Sequence, residues 1–411
     1  MLSCVYSDDC FSAIITYKFA TSQTKINAVG DVMKSTNGWK KIVCVLLIAA
    51  ALLFSAGCGK EQLADVFGLA VSGSGKETVI CVSSDRYVHN TLSEKQQIVY
   101  DEMLHAIMNM KETVSLSTTD KSDVKRCYDA ICADYGEIFW VEACSYGVLT
   151  VFGIPRSVSF SVTYAYTPEE VADYRVQMQP AIDGYLKRLG ECGSDYEKTE
   201  VLYRKLIREV AYDMEAENNQ NILSVFLGKK TVCQGYACAA QYLLQQAGIP
   251  CVIITGIAQG QPHAWNMVLL DGDYYYLDVT WGNADFLGES GVAAGSINYG
   301  YLNITSDELL INHQPQVDFP LCTCDSTENN YYVKKRLFFD RWDPKAIGAK
   351  IARAYEKNKD SVSVKFADAE LFAKAKDYFI DERHITDYCK GISQIYYVKD
   401  TDLNILTIYF K

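Results

Sequence analysis

The sequence is poor in positive charge. Its 39 Lys and Arg face 51 Asp and Glu, a formal charge of −12 over 411 residues, with 29 Tyr spread among the acidic positions. No basic face is available to follow a phosphate backbone, so no nucleic-acid partner is expected. Despite 15 Cys, no pair of Cys-x-x-Cys units with histidine partners occurs, which removes the usual ligand spacing of a zinc site. A working phosphate loop is missing too. The stretch AVSGSGKE has the glycines and the lysine, but Glu77 stands where a Ser or Thr would hold magnesium, and no apolar strand leads into it. What the chain does have is 49% apolar residues, enough at this length for two or three packed units.

The first 57 residues differ in kind from the rest. In MKSTNGWKKIVCVLLIAAALLFSAGCGK, Lys40 and Lys41 precede an apolar run over 42–56 that is short for a bilayer span and suited to the h-region of a secretory signal. The run ends in Ser-Ala-Gly-Cys, which resembles the lipobox of bacterial lipoproteins, with Ser55 in place of the usual Leu. That resemblance implies lipid attachment at Cys58 and a body held to the membrane outside the cytoplasm. Residues 1–32 show no apolar period, and the codons of Gly30, Asp31 and Val32 can form a purine-rich ribosome-binding stretch. We therefore expect 1–32 to reflect a mis-assigned start, translation from Met33, and a signal over 33–57. Removing 1–57 takes away five Lys and three Asp, leaving the body more acidic still. Eleven Cys follow Cys58; with one kept as a free nucleophile, the even remainder is compatible with disulfides outside the cell. Cys127, Cys132 and Cys238 sit inside apolar periods, which reads instead as small buried thiols.

Residues 58–85 are polar and Gly/Ser-bearing, as expected of a flexible tether. Residues 86–190 read as a small α/β unit. Ser93 with Gln96 caps a helix through Met110, a second helix spans about 122–133, VLTVFGIPRSVSFSVTYAYT alternates like a hairpin, and Thr167-Pro168-Glu169-Glu170 opens a helix ending near Gly190. Ser194 with Glu197 caps the next, through about Val210. A central domain is expected over 191–303. Beyond it, 304–411 reads as a β-α-β-β appendage in which His313 and His384 stand alone among loop-like residues, as solvated or structural histidines do.

The chemistry concentrates in the central block. In KKTVCQGYACAAQYLLQQAGIP, Ala239, Ala240, Leu243, Leu244 and Ala247 recur at helical spacing, Gly248 supplies a left-handed stop and Pro250 forbids continuation. The helix therefore begins close to Cys233, where unpaired N–H groups and the positive end of the helix dipole favour thiolate over thiol. Downstream, residues 251–257 read as a buried strand, and 264–270 and 274–280 as two strands joined by an Asp271-Gly272 turn. With those two as the loop, Leu270 pairs with Asp273, Trp265 with Asp278 and His263 with Thr280, so His263 and Asp278 share a face as diagonal neighbours. A carboxylate beside an imidazole fixes its tautomer, and an imidazole facing a thiol can take its proton. A Cys233–His263–Asp278 triad results. The Cys233 backbone N–H could serve a developing oxyanion, with Tyr212 and Gln234 as candidates for a second donor. Trp265 shares the triad face and is a candidate groove wall, whereas the register turns Trp281 away toward the core. Three side chains complete this chemistry, so no metal or organic cofactor is implied.

VCQGYA, HAWNMV and LDVTWG, in that order after a capped helix and AYD, resemble the three signature segments of the transglutaminase-like superfamily. The resemblance covers about 194–303 and implies a papain-like α+β core, a Cys-bearing helix packed on an antiparallel sheet bearing His and Asp. It assigns Cys233 as nucleophile, His263 as base and Asp278 as orienting acid; the flanking segments resemble bacterial cell-surface proteins with this domain. The expected activity is acyl transfer through a thioester on a protein or peptide substrate, cell-wall peptide included, as a membrane-tethered protease or amidase. Capture of the thioester by an amine would make a cross-linker instead, and loss of turnover a peptide- or wall-binding module.

Overall fold

The computed structural model describes residues 20–21, 86–283 and 296–410. The proposed start at Met33, the lipobox at Cys58 and the tether over 58–85 lie outside the described residues. Helix α1 (Glu94–Met108) opens with a complete capping box, Ser93 accepting from the Gln96 N–H and the Gln96 side chain accepting from the Ser93 N–H. Strand β1 (Thr113–Leu116) and helix α2 (Lys121–Asp134) follow. Strands β2 (Val141–Val151) and β3 (Ile154–Tyr164) form the hairpin that the alternation predicts, and pair antiparallel in the order β2–β3–β1. Helix α3 (Pro168–Gly190) starts as its Thr-Pro-Glu-Glu sequence requires, with Pro in the first turn and a Thr167–Glu170 box. Ser194 then caps α4 (Asp195–Glu209) by accepting from the Glu197 N–H.

Helix α5 (Cys233–Gln246) begins at the cysteine itself. It ends ahead of Gly248 at φ +81°, a left-handed stop that a side chain would strain. Strands β4 (Cys251–Ala258), β5 (Gln261–Leu270), β6 (Asp273–Leu277), β7 (Leu302–Ile304) and β8 (His313–Pro315) form an antiparallel sheet in the order β7–β6–β5–β4–β8. The β5–β6 turn is the expected two-residue loop: Asp271 and Gly272 both have positive φ, and Leu270 pairs with Asp273.

One continuous core joins the N-terminal helices and hairpin to this sheet. It contains Val99, Met103, Ile131, Phe160, Leu243, Leu244, Trp265 and Val268. Gln241, buried on α5, ties the two parts in hydrogen bonds: its carbonyl oxygen accepts from the Gly136 N–H and its amide donates to the Ala133 carbonyl. Such a pairing removes the cost of burying an amide.

The C-terminal part is richer in helix than the sequence reading allowed. Strands β9 (Phe338–Phe339), β10 (Ser361–Phe366), β11 (Ile395–Asp400) and β12 (Ile405–Phe410) form a sheet in the order β9–β10–β12–β11. Helix α7 (Ala369–Lys376) was expected; α6 (Pro344–Glu356), opened by an Asp343 cap and a first-turn Pro, was not. These elements have a second core around Ile347, Ile351, Phe366, Phe379 and Ile408, yet Leu403 and Ile405, at the β11–β12 turn, belong to the main core. Lys365 of β10 also pairs with Glu308, beside β7.

Every described cysteine is a free thiol, so the disulfide reading does not hold among the described residues. Most sit in the cores, where a thiol packs as a small apolar group. Among the described residues no helix is long and apolar enough to cross a membrane.

Candidate active site

Why a Gly follows so soon after Cys233 is a matter of close approach. A β-carbon on Gly235 would collide with Thr231 Oγ1 and lie 2.9 Å from the Asn219 carbonyl oxygen. Thr231 Oγ1 is fixed there by hydrogen bonds to that carbonyl, 3.0 Å, and to Ser224 Oγ, 2.7 Å. The first turn of α5 is thus pressed onto the preceding loop, and Cys233 keeps 8% of its surface exposed. Val232 precedes the helix without a side-chain cap, so no side chain competes for the first N–H groups.

His263 is supplied by β5, opposite Gly256 of β4. Its Nε2 lies 2.7 Å from Asp278 Oδ2, and Cys233 is among the groups whose field acts on the ring. The structure brings His263 and Asp278 of the expected triad together, although not by the route expected. Strand β6 stops at Leu277, and Asp278 is instead the N-cap of a helical turn, Val279–Gly282, its Oδ1 accepting from the Trp281 N–H at 3.0 Å. The Trp265–Asp278 and His263–Thr280 pairings do not form, because a capping Asp leaves the strand and Thr280 is already helical.

Burial alone would push the His263 imidazole down; the Asp278 charge and hydrogen bond, with a smaller contribution from Cys233, outweigh burial and raise it to about 10. Burial would likewise push the Asp278 carboxyl up, and the two histidines around it hold it well below the usual carboxylate range. His263 is accordingly a cation at neutral pH. Elsewhere, burial pushes the thiols of Cys127, Cys144 and Cys238 up to about 12, which leaves them inert.

The second of those two histidines is His313, which the sequence reading placed among solvated or structural histidines. It lies on β8, fully buried, and its Nε2 donates to Asp278 Oδ2 at 3.1 Å. No local pattern announces it: β8 is a three-residue edge strand in INHQPQ, without alternation. His384, by contrast, is half-buried, stacked on Tyr378 at 4.2 Å between ring centres and paired with Asp387 near the surface. His263, Asp278 and His313 are metal-competent residue types whose ligand atoms lie within 4.8 Å of one another. Their contacts have hydrogen-bond lengths, both imidazoles donating to one carboxylate oxygen.

Two tryptophans change roles. Trp265 is 1% exposed and stacks on His263 at 5.8 Å between ring centres, so it forms the floor beneath the imidazole instead of a groove wall. Trp281 is buried as expected but does not face away: its ring lies 6.2 Å from His263 and 4.6 Å from His313, because the helical turn brings it back over the site. Of the oxyanion candidates, Gln234 turns its amide along the helix to Cys238 Sγ at 3.4 Å. Tyr212, half-buried, has its hydroxyl pushed up to about 12 by burial and then by the charges of Cys233 and Asp278, which keeps it protonated. Tyr203 and Tyr301 are likewise raised, by burial first and with Asp278 among the charges that contribute.

Residues 184–279 match the sequence pattern of the transglutaminase-like superfamily. Kyphoscoliosis peptidase of Mus musculus is 29% identical over 112 residues, 23% of this chain and 17% of that protein. The Homo sapiens protein is 26% identical over 112 residues with the same shares; the match thus spans less than a fifth of these relatives' length. Among solved structures, the periplasmic domain of TgpA from Pseudomonas aeruginosa is similar at 16% identity and a TM-score of 0.24, over 34% of this chain and 59% of that one. A TGase crystal structure is similar at 14% identity and a TM-score of 0.25, over 34% and 50%. A Cys-bearing helix packed on an antiparallel sheet that presents His and reaches Asp is an α+β arrangement, and the transglutaminase-like match over 184–279 falls on it.

Proposed function

We propose that this chain is a cysteine acyl-transfer enzyme that cleaves peptide or amide bonds through a thioester at Cys233. One observation carries the reading: a buried carboxylate 2.7 Å from a buried imidazole on which the cysteine that opens α5 also acts. The sulfur anion attacks the carbonyl carbon, and the oxyanion that forms is met by the Cys233 N–H and the Tyr212 hydroxyl. The C–N bond then breaks as His263 gives its proton to the leaving amine, leaving an S-acyl enzyme and a neutral imidazole. Water, losing a proton to His263, attacks the thioester, releases the acid and restores the starting charges. An amine in place of water gives an amide, which is cross-linking. The name peptidase carried by the mouse and human relatives favours water.

The substrate in this reading is protein or peptide, cell-wall peptide included, and the enzyme is held outside the cytoplasm by lipid on Cys58. Supporting this are the Lys40-Lys41 pair, the short apolar run after it and the small residues before Cys58. The test sets the wild-type chain against Cys233→Ala on a peptide library, with mass spectrometry reporting shortened or cross-linked products. Cleaved products from the wild type alone are expected; the same products from both proteins, or none from either, would reject the activity.

A further inference from the structure

The reading above leaves His313 without a role, although it touches the catalytic carboxylate. Its other ring nitrogen is informative: Nδ1 lies 2.6 Å from Asn312 Oδ1. The amide of Asn312 is not free to turn over, because its Nδ2 faces the Asp402 carboxylate at 3.1 Å and Tyr301 Oη at 2.9 Å. A carboxylate only accepts, so the NH2 end must face Asp402 and the oxygen must face His313. That oxygen and Asp278 Oδ2 are both acceptors, one at each ring nitrogen of His313. Its ring is held between Trp281 at 4.6 Å, Trp265 at 5.0 Å and Tyr301 at 5.7 Å.

A carboxylate oxygen that receives one imidazole can swing with it. One that receives two from different strands, while its twin oxygen caps a helical turn, is fixed in direction. The chain of bonds does not stop at the central sheet. Asp402 lies in the β11–β12 turn, and its neighbours Leu403 and Ile405 are seated in the main core. We infer that His313 is a positioning residue for the Cys233–His263–Asp278 site, and that the C-terminal sheet holds it in place through Asp402 and Asn312. The inference rests on the triad reading, and gives the C-terminal unit a part in that site's chemistry.

The test is labelling of Cys233 by iodoacetamide, read by mass spectrometry from about pH 5 to pH 11, in wild type, Asp278→Asn, His313→Gln, Asp402→Ala and Asp402→Asn. The groups facing the sulfur and the carboxylate over that range are His263, His313, Tyr212, Tyr203 and Tyr301. Asp278→Asn and His313→Gln are expected to slow labelling at neutral pH by about tenfold or more and to shift its pH profile. Asp402→Ala should move it the same way by less, with the melting temperature unchanged because the side chain is exposed. Asp402→Asn keeps an acceptor oxygen for Asn312 and should stay with wild type. Should His313→Gln fail to fold, the Asp402 pair carries the test. If Asp278→Asn moves the profile while His313→Gln and Asp402→Ala do not, His313 only packs and the inference is overturned with the triad intact. If Asp278→Asn also leaves the profile in place, the triad reading falls with it.

Discussion

Replacing Asp278 with Asn removes the charge that raises His263 but keeps the burial that depresses it. The imidazole would then lose its proton below its ordinary value near ~6.5 instead of at about 10. Activity should fall by about 10²- to 10⁴-fold, and its alkaline limb should move down by several pH units in a rate profile. Stability follows the same groups with the sign worked out. The lowered Asp278 contributes above the unfolded carboxylate value, near ~4, and its contribution is lost as pH falls. The raised His263 contributes below ~6.5, and its contribution is lost as pH rises toward 10. The penalty of Asp278→Asn in urea unfolding should thus be larger near pH ~6 than near pH ~10.5. A penalty independent of pH would mean the two groups are not coupled.

Helix α5 owes its position to a contact that a single methyl group would break. Gly235→Ala must push the first turn off Thr231 and Asn219, an overpacking cost of about 1–3 kcal/mol. Because Cys233 moves with that turn, labelling of the sulfur should slow while Cys238, one turn deeper, stays unreactive. Labelling at the wild-type rate would show that the turn tolerates the shift. The elements also show what local sequence can encode. The α5 stop, the Ser93 and Thr167 boxes and the Asp271-Gly272 register were legible, because each depends on residues within one turn of one another. Asp278 was legible as a partner of His263 but not as a cap, since period alone does not tell a strand end from a helix start. His313 was not legible: its contact with Asp278 spans 35 residues and leaves no mark on the segment around it. Trp265 and Trp281 were misjudged for a related reason, as a face assigned within a hairpin says nothing about what folds over it.

Across the molecule, the N-terminal helices and hairpin are not a separable attachment. Their core is continuous with that of α5 and the central sheet, and Gln241 is satisfied only by groups at residues 133 and 136. Deleting 86–190 would uncover the apolar face of α5 and strand a buried amide, costs of several kcal/mol against a total stability of about 5–15. The shortened chain should lose its cooperative melting transition and the selective labelling of Cys233. Retention of both would show that residues from 191 onward fold alone.

Asn312 meets its carboxylate partner ninety residues further along the chain. Ribosomes deliver Cys233, His263 and Asp278 well before that partner emerges. If the clamp on His313 sets the pace, a half-made polypeptide has a quiet sulfur. Competence would arrive with the closing of the last sheet, so completion of folding acts as the safety catch.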